Sequence, residues 1–251
     1  ALPIWQFCHR QQQDQAVPGF VKKNGIDLSL YEKQIFDSYN DFFTRKIRAE
    51  ERPVNPDANA LVSPSDGKVS VYKIHENGHF LIKHTEYTLE QLLQDKKLAK
   101  RYLDGHIYVI RLTVDDYHRY CYAADGRKSE QRKIAGILHT VNPVANDVCP
   151  IYKMNSREYC LIKTERFGTL LQMEVGALMV GKISNNQQGL GFVHKGVEKG
   201  RFEFGGSTII LLTQKNVVIP DRDLLEHTGS GMETLVKMGE QIGRSANRLD
   251  A

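Results

Sequence analysis

Phe204-Gly205-Gly206-Ser207-Thr208-Ile209-Ile210-Leu211-Leu212 is a glycine turn that runs into a short apolar segment. A brief apolar run bounded by glycine reads as a buried strand. The same texture repeats outward along the chain, at 68–74, 79–83, 106–112, 134–141, 159–164, 169–175 and 178–183. Turn dipeptides separate these runs, among them Ser63-Pro64, Asp66-Gly67, Asn77-Gly78 and Asp125-Gly126. Many short strands at this spacing predict an α+β protein with a mainly antiparallel, sandwich- or barrel-like core.

Helical spacing marks the start of the chain. Leu30, Ile35, Phe36, Tyr39, Phe42, Phe43 and Ile47 recur at roughly helical intervals, and Asp27 or Ser29 is placed to cap a helix. Arg52-Pro53 ends that segment, because proline disfavours helix in the residue before it. A second helix is predicted over 88–103, with Thr88 as its cap. Three regions result: an N-terminal helical segment over 1–52, a β-rich catalytic region over 53–220, and a polar C-terminal tail over 221–251.

The composition excludes several classes. The 251 residues are 41% hydrophobic and 25% charged, which is too apolar for a disordered chain. No apolar run approaches the roughly 20 residues a membrane helix needs. The net charge of +4 is spread along the chain, without the basic run expected of a nucleic-acid partner. Cys8, Cys121, Cys149 and Cys160 show no paired spacing, so they read as reduced thiols, and no metal ligand set is evident. The chain starts Ala1-Leu2-Pro3 without Met, so an upstream piece is expected. Trp5, Phe7, Phe20 and the Lys22-Lys23 pair are candidates for an interfacial surface.

Taken singly, the chemistry-bearing segments are ordinary. Ser63-Pro64-Ser65-Asp66-Gly67 is a turn. Asp115-Asp116-Tyr117-His118-Arg119-Tyr120-Cys121 follows a strand, where functional loops cluster, and histidine, the usual proton-transfer group, ordinarily titrates near neutral pH. Met173-Glu174-Val175-Gly176-Ala177 reads as a buried strand with a glycine bend, and Glu174 needs a partner if buried.

In this order, the segments resemble the phosphatidylserine decarboxylase family. The resemblance rests on Phe42-Phe43-Thr44-Arg45 with Arg52-Pro53, Ser63-Pro64-x-Asp66-Gly67, Asp116-Tyr117-His118-Arg119, Val175-Gly176-Ala177 with Val180-Gly181, and Phe204-Gly205-Gly206-Ser207-Thr208. It spans roughly residues 20–212, and Val141-Asn142-Pro143 and Gly-Gly-Ser-Thr point to the shorter, clostridial-like bacterial branch.

The resemblance implies a self-processing proenzyme. Ser207 Oγ would attack the Gly206 carbonyl, splitting the chain into 1–206 and 207–251, which stay associated. Ser207 would become a pyruvoyl group, the cofactor, whose carbonyl accepts the electrons released as phosphatidylserine loses carbon dioxide and becomes phosphatidylethanolamine. His118 would transfer protons, and Asp66 would orient and charge-stabilise a histidine. The implied setting is peripheral, on the cytoplasmic side of the cell membrane, with a homo-oligomer left open.

One position departs from the family pattern. Many members carry a second histidine where this chain has Cys121. His118 serving both steps is the first reading, with His139 and Cys121 as auxiliary candidates. A thiol near its ordinary pKa of about 8.5 is a poor base at neutral pH. The alternative function is a non-processing homologue that binds anionic phospholipid without turnover.

Overall fold

Period-two alternation builds the centre of the molecule. The computed structural model describes residues 13–82, 85–136, 155–176, 182–203 and 207–246. Among these, the first strands in chain order are β1 (Ala60–Val62), β2 (Gly67–Lys73), β3 (His79–Ile82), β4 (Thr85–Thr88), β5 (His106–Leu112), β6 (Arg119–Cys121), β7 (Gly126–Lys128) and β8 (Arg132–Ile134). They are followed by β9 (Arg157–Lys163), β10 (Thr169–Val175), β11 (Ile183–Asn185), β12 (Gly191–Val193), β13 (Glu198–Phe202), β14 (Ser207–Thr213), β15 (Val218–Pro220), β16 (Thr234–Val236) and β17 (Gln241–Ser245).

The main sheet has the order β12-β7-β9-β10-β14-β5-β2-β16, with β8 also paired to β9, and its pairings are antiparallel. Two three-stranded sheets, β1-β17-β15 and β11-β13-β6, lie apart from it. The α+β, mainly antiparallel expectation therefore holds. The order is open at β12 and β16, so the arrangement is layered rather than a closed barrel.

Side-chain alternation assigns the two faces of the main sheet. Val109, Met173, Ile210 and Leu212 pack with Leu92, Leu93, Leu98 and Tyr102 on one face. Val69, Ile110, Ile209 and Leu211 pack with Tyr120, Phe202, Val218 and Ile242 of the small sheets on the other. Each fully buried aliphatic side chain contributes about 1.5–3 kcal/mol relative to exposure.

The helices are shorter than their periodicity predicts. The N-terminal region holds α1 (Gln13–Asn24) and α2 (Tyr39–Phe43), joined by largely irregular chain. The Ser38 side chain caps α2 by accepting from the Asp41 N–H, and α2 buries Phe42 and Phe43. The helix predicted over 88–103 is broken into α3 (Leu89–Leu93), α4 (Lys96–Ala99) and a 3-10 turn at Lys100–Tyr102. Thr88 caps the first piece as expected. Gln94 then turns left-handed at φ 51°, and Asp95 recaps the chain by accepting from the Leu98 N–H.

Residues 221–246, polar in sequence, are folded into the body. They supply α5 (Arg222–Gly229), β16 beside β2, and β17 between β1 and β15. A few spaced apolar residues anchor them: Leu224, Val236 and Ile242 are buried.

Candidate active site

Antiparallel pairing brings three strand ends to one place. β2 begins at Gly67, directly after Asp66; β5 ends at Leu112, directly before the histidine loop; β14 begins at Ser207. Lys68 is opposite Arg111, and Ser207 is opposite Leu112. Three segments far apart in sequence thus meet at one end of the sheet. Gly67 is required there: its φ is +147°, and a Cβ would lie 2.7 Å from the Arg111 carbonyl oxygen.

The loop after β5 is tied to itself. The Asp116 carboxylate accepts from the Thr113 N–H at 2.6 Å and from the Thr113 hydroxyl at 2.9 Å. His118 Nδ1 lies 2.9 Å from the Asp116 carbonyl oxygen. A carbonyl only accepts, so Nδ1 carries the proton and Nε2 presents a lone pair. Nε2 is buried and has no hydrogen-bond partner among the described residues. Burial is the main influence that pushes the His118 pKa down to about 3. The Asp116 carbonyl opposes this shift and nearby Arg45 reinforces it. At neutral pH His118 is an uncharged imidazole whose acceptor nitrogen is open among the described residues.

Ser207 is fully buried, and its Oγ is also without a partner among the described residues. The N-terminal flank of the segment before it is pinned. The Phe202 N–H donates to the His118 carbonyl at 2.9 Å, and the Glu203 N–H donates to the Lys182 carbonyl at 3.0 Å. Phe204, Gly205 and Gly206 themselves lie outside the described residues, as does His139.

Asp66 has its own partners. Arg52 grips it with both arms, Nε to Oδ1 at 2.8 Å and Nη2 to Oδ2 at 2.5 Å, and the Met238 N–H donates to Oδ1 at 2.9 Å. Its carboxylate meets Arg52 and Met238, while the His118 Nδ1 meets the Asp116 carbonyl. The turn that carries Asp66 packs on β6: the Cys121 N–H donates to the Pro64 carbonyl at 2.8 Å, and the thiol faces the Ser63 carbonyl at 3.9 Å. Burial pushes the Cys121 thiol up to about 12, which keeps it protonated at neutral pH.

Glu174 finds the partner its burial demands. Lys199 Nζ donates to Glu174 Oε2 at 2.6 Å, with both side chains essentially inaccessible. Asn185 and Gln131 add donors to the same oxygen, at 3.4 and 3.2 Å. Pairing across strands places Glu174 opposite Ile209, two residues along β14 from Ser207 and on the same face.

Several site residues carried no individual role in the sequence. Phe43 lies against the His118 ring, Arg45 reaches the histidine loop, and Arg52 holds Asp66. Their only signal was membership of motifs, Phe42-Phe43-Thr44-Arg45 and Arg52-Pro53.

A buried serine hydroxyl and a neutral imidazole thus stand on segments that meet at one end of an antiparallel sheet, and these are residue types that serine acyl transfer uses. The sequence pattern of the phosphatidylserine decarboxylase family matches residues 39–244, and the chain belongs to that family. A phosphatidylserine decarboxylase proenzyme 2 of Clostridium acetobutylicum is 46% identical over 226 residues, covering 90% of this chain and 77% of the relative. Phosphatidylserine decarboxylase proenzymes of Fusobacterium nucleatum and Clostridium botulinum are each 40% identical. They cover 95% and 94% of this chain, and 81% and 82% of their own length.

Proposed function

We propose that this chain cleaves itself between Gly206 and Ser207 and then decarboxylates phosphatidylserine to phosphatidylethanolamine. The observation that carries the reading is the fully buried Ser207 hydroxyl, without a partner among the described residues, at the start of a central strand. A buried hydroxyl without a partner costs free energy, and such groups concentrate where chemistry uses them.

In the cleavage step, Ser207 Oγ bonds to the Gly206 carbonyl carbon as its proton passes to His118 Nε2. The peptide C–N bond then breaks, leaving Gly206 as an ester on Ser207 and freeing the Ser207 amine. Elimination across the Ser207 Cα–Cβ bond releases the Gly206 carboxylate, and loss of ammonia on hydration leaves the pyruvoyl terminus. The Ser207 Oγ, without a partner among the described residues, fits this origin of the group. When formed, the pyruvoyl group supplies the carbonyl that accepts electrons as carbon dioxide leaves. His118 Nε2 holds and returns the proton, and its burial keeps water from competing at that nitrogen. Asp66 acts through the turn it shapes with Arg52 and Met238.

Cys121 stands where many family members have their second histidine, and its thiol stays protonated, so the reading gives His118 both proton-transfer steps. His139 remains the auxiliary candidate. The fragments 1–206 and 207–251 stay together because β14 lies between β10 and β5 at the centre of the main sheet.

Attachment to the membrane is peripheral in this reading. No helix among the described residues is long and apolar enough to cross a membrane. The half-buried Phe20 ring packs edge-on against Tyr39 and Phe42, with ring centroids 5.7 and 5.8 Å away. Ile35 is 82% exposed beside a groove formed by Val17, Val21 and Leu28, and α1 carries Lys22 and Lys23 in its last turn.

Intact-mass analysis tests the reading. Two fragments are expected, with the smaller trapped by phenylhydrazine. A single intact species that binds anionic vesicles and yields no phosphatidylethanolamine would favour the non-processing homologue instead.

A further inference from the structure

Two motifs hold each other at the backbone. Arg45, from Phe42-Phe43-Thr44-Arg45, donates through Nη2 to the carbonyls of Asp115 at 3.1 Å and Asp116 at 3.3 Å. Arg119, from Asp116-Tyr117-His118-Arg119, donates through Nε to the carbonyl of Thr44 at 2.9 Å. Each arginine thus grips the main chain of the other motif. Arg45 is only 3% exposed, and its guanidinium lies 4.6 Å from the ring centres of both Tyr31 and Phe42. That sandwich fixes its plane. Arg119 is fixed in turn by Glu198, at 2.9 and 3.2 Å.

His118 sits inside this clamp. The Phe43 ring, fully buried, lies against the imidazole with centroids 3.9 Å apart at 37°. The Asp116 carbonyl is shared: Arg45 Nη2 donates to it and His118 Nδ1 donates to it. A carbonyl oxygen has two lone pairs, so the two donors saturate it. Arg45 therefore holds in place the one acceptor that decides which imidazole nitrogen keeps its proton.

We propose that Phe43 and Arg45 are positioning residues that lock His118 in the Nδ1–H tautomer and aim Nε2 into the site. The proposal rests on the reading of His118 as the proton-transfer group. It gives the N-terminal segment a part in the chemistry: without it, the imidazole loses its aromatic wall and the brace on its acceptor. The exchange of arginines also explains why a catalytic loop can be rigid without lying inside a strand or helix.

Nitrogen NMR of histidine-labelled full chain, in wild type and in Ser207→Ala, reads the tautomer directly and does not depend on cleavage. A protonated Nδ1 and bare Nε2 on His118 are expected. An Nε2–H tautomer would overturn the proposal while leaving self-cleavage to be judged by mass. Phe43→Leu keeps an apolar side chain but removes the ring, and Arg45→Met removes the brace. Each is expected to mix the tautomers and slow cleavage by about 10–100-fold, the scale of small misplacements. Arg45→Lys is expected to recover part of that rate, since a point charge reaches one carbonyl but not two. Folded variants that keep both the wild-type rate and the single tautomer would overturn the proposal. So would variants that lose only thermal stability.

Discussion

Two buried polar clusters share one face of the main sheet and are treated in opposite ways. Around Glu174, charge is answered by charge: Lys199, Asn185 and Gln131 converge on one carboxylate oxygen. Around Ser207, the groups are kept neutral and left open: the serine Oγ and the His118 Nε2 have no partners among the described residues. The first arrangement secures strands β10 and β13 to each other through an ion pair that is stable only while both members remain. In the proposed function the second supplies a nucleophile and a base that have no partner to give up among the described residues. Burial acts on both, pushing the Glu174 carboxyl up against the pull of Lys199 and the His118 imidazole down.

Substitutions can break this contrast at either end. Ser207→Ala is expected to have the largest effect, abolishing both cleavage and phosphatidylethanolamine formation. Mass spectrometry and a lipid assay read it, and product from that variant would remove the pyruvoyl account. His118→Gln comes next, with cleavage slowed by about 10²–10⁴-fold, the usual worth of a positioned base. At the ionic cluster, Lys199→Met strands a buried carboxylate and is expected to cost about 3–5 kcal/mol in urea unfolding. Pairing it with Glu174→Leu should recover most of that loss; an unimproved double variant would mean the cluster does more than balance charge.

A smaller effect comes from pH. His118 is held near 3 and His106 near 4 by burial, below the unfolded value of about 6.5. The unfolded chain therefore binds more protons between those limits, so stability is full above about pH 6.5 and falls as the pH drops toward 3–4. The urea midpoint measured from pH 7 to 4 should fall less steeply in His118→Gln than in wild type. The smallest effect is expected at the surface. The Arg222–Glu226 pair is open to solvent, and Arg222→Ala should leave the midpoint unchanged within error.

Legibility in sequence followed the range of the interaction. The strands at 106–112 and 169–175 were readable because a two-residue period or a short apolar run is a local property. The helix over 88–103 was overextended because apolar spacing continues through Gln94, where the backbone nonetheless turns left-handed and Asp95 starts a new cap. Folded structure within 221–246 was obscured by polarity, since three buried anchors among many charged residues leave a weak pattern.

The sequence by itself determined the family, the α+β class, and the residues Asp66, His118, Cys121 and Ser207 as those to watch, because these follow from residue types in a fixed order. Only the tertiary structure decided their partners. Asp66 went to Arg52, Glu174 to Lys199, and His118 to the Asp116 carbonyl under the Phe43 ring. The physical reason is that pairing in an antiparallel sheet juxtaposes residues by register rather than by separation along the chain. Burial at that juncture then sets which groups carry charge and which stay neutral.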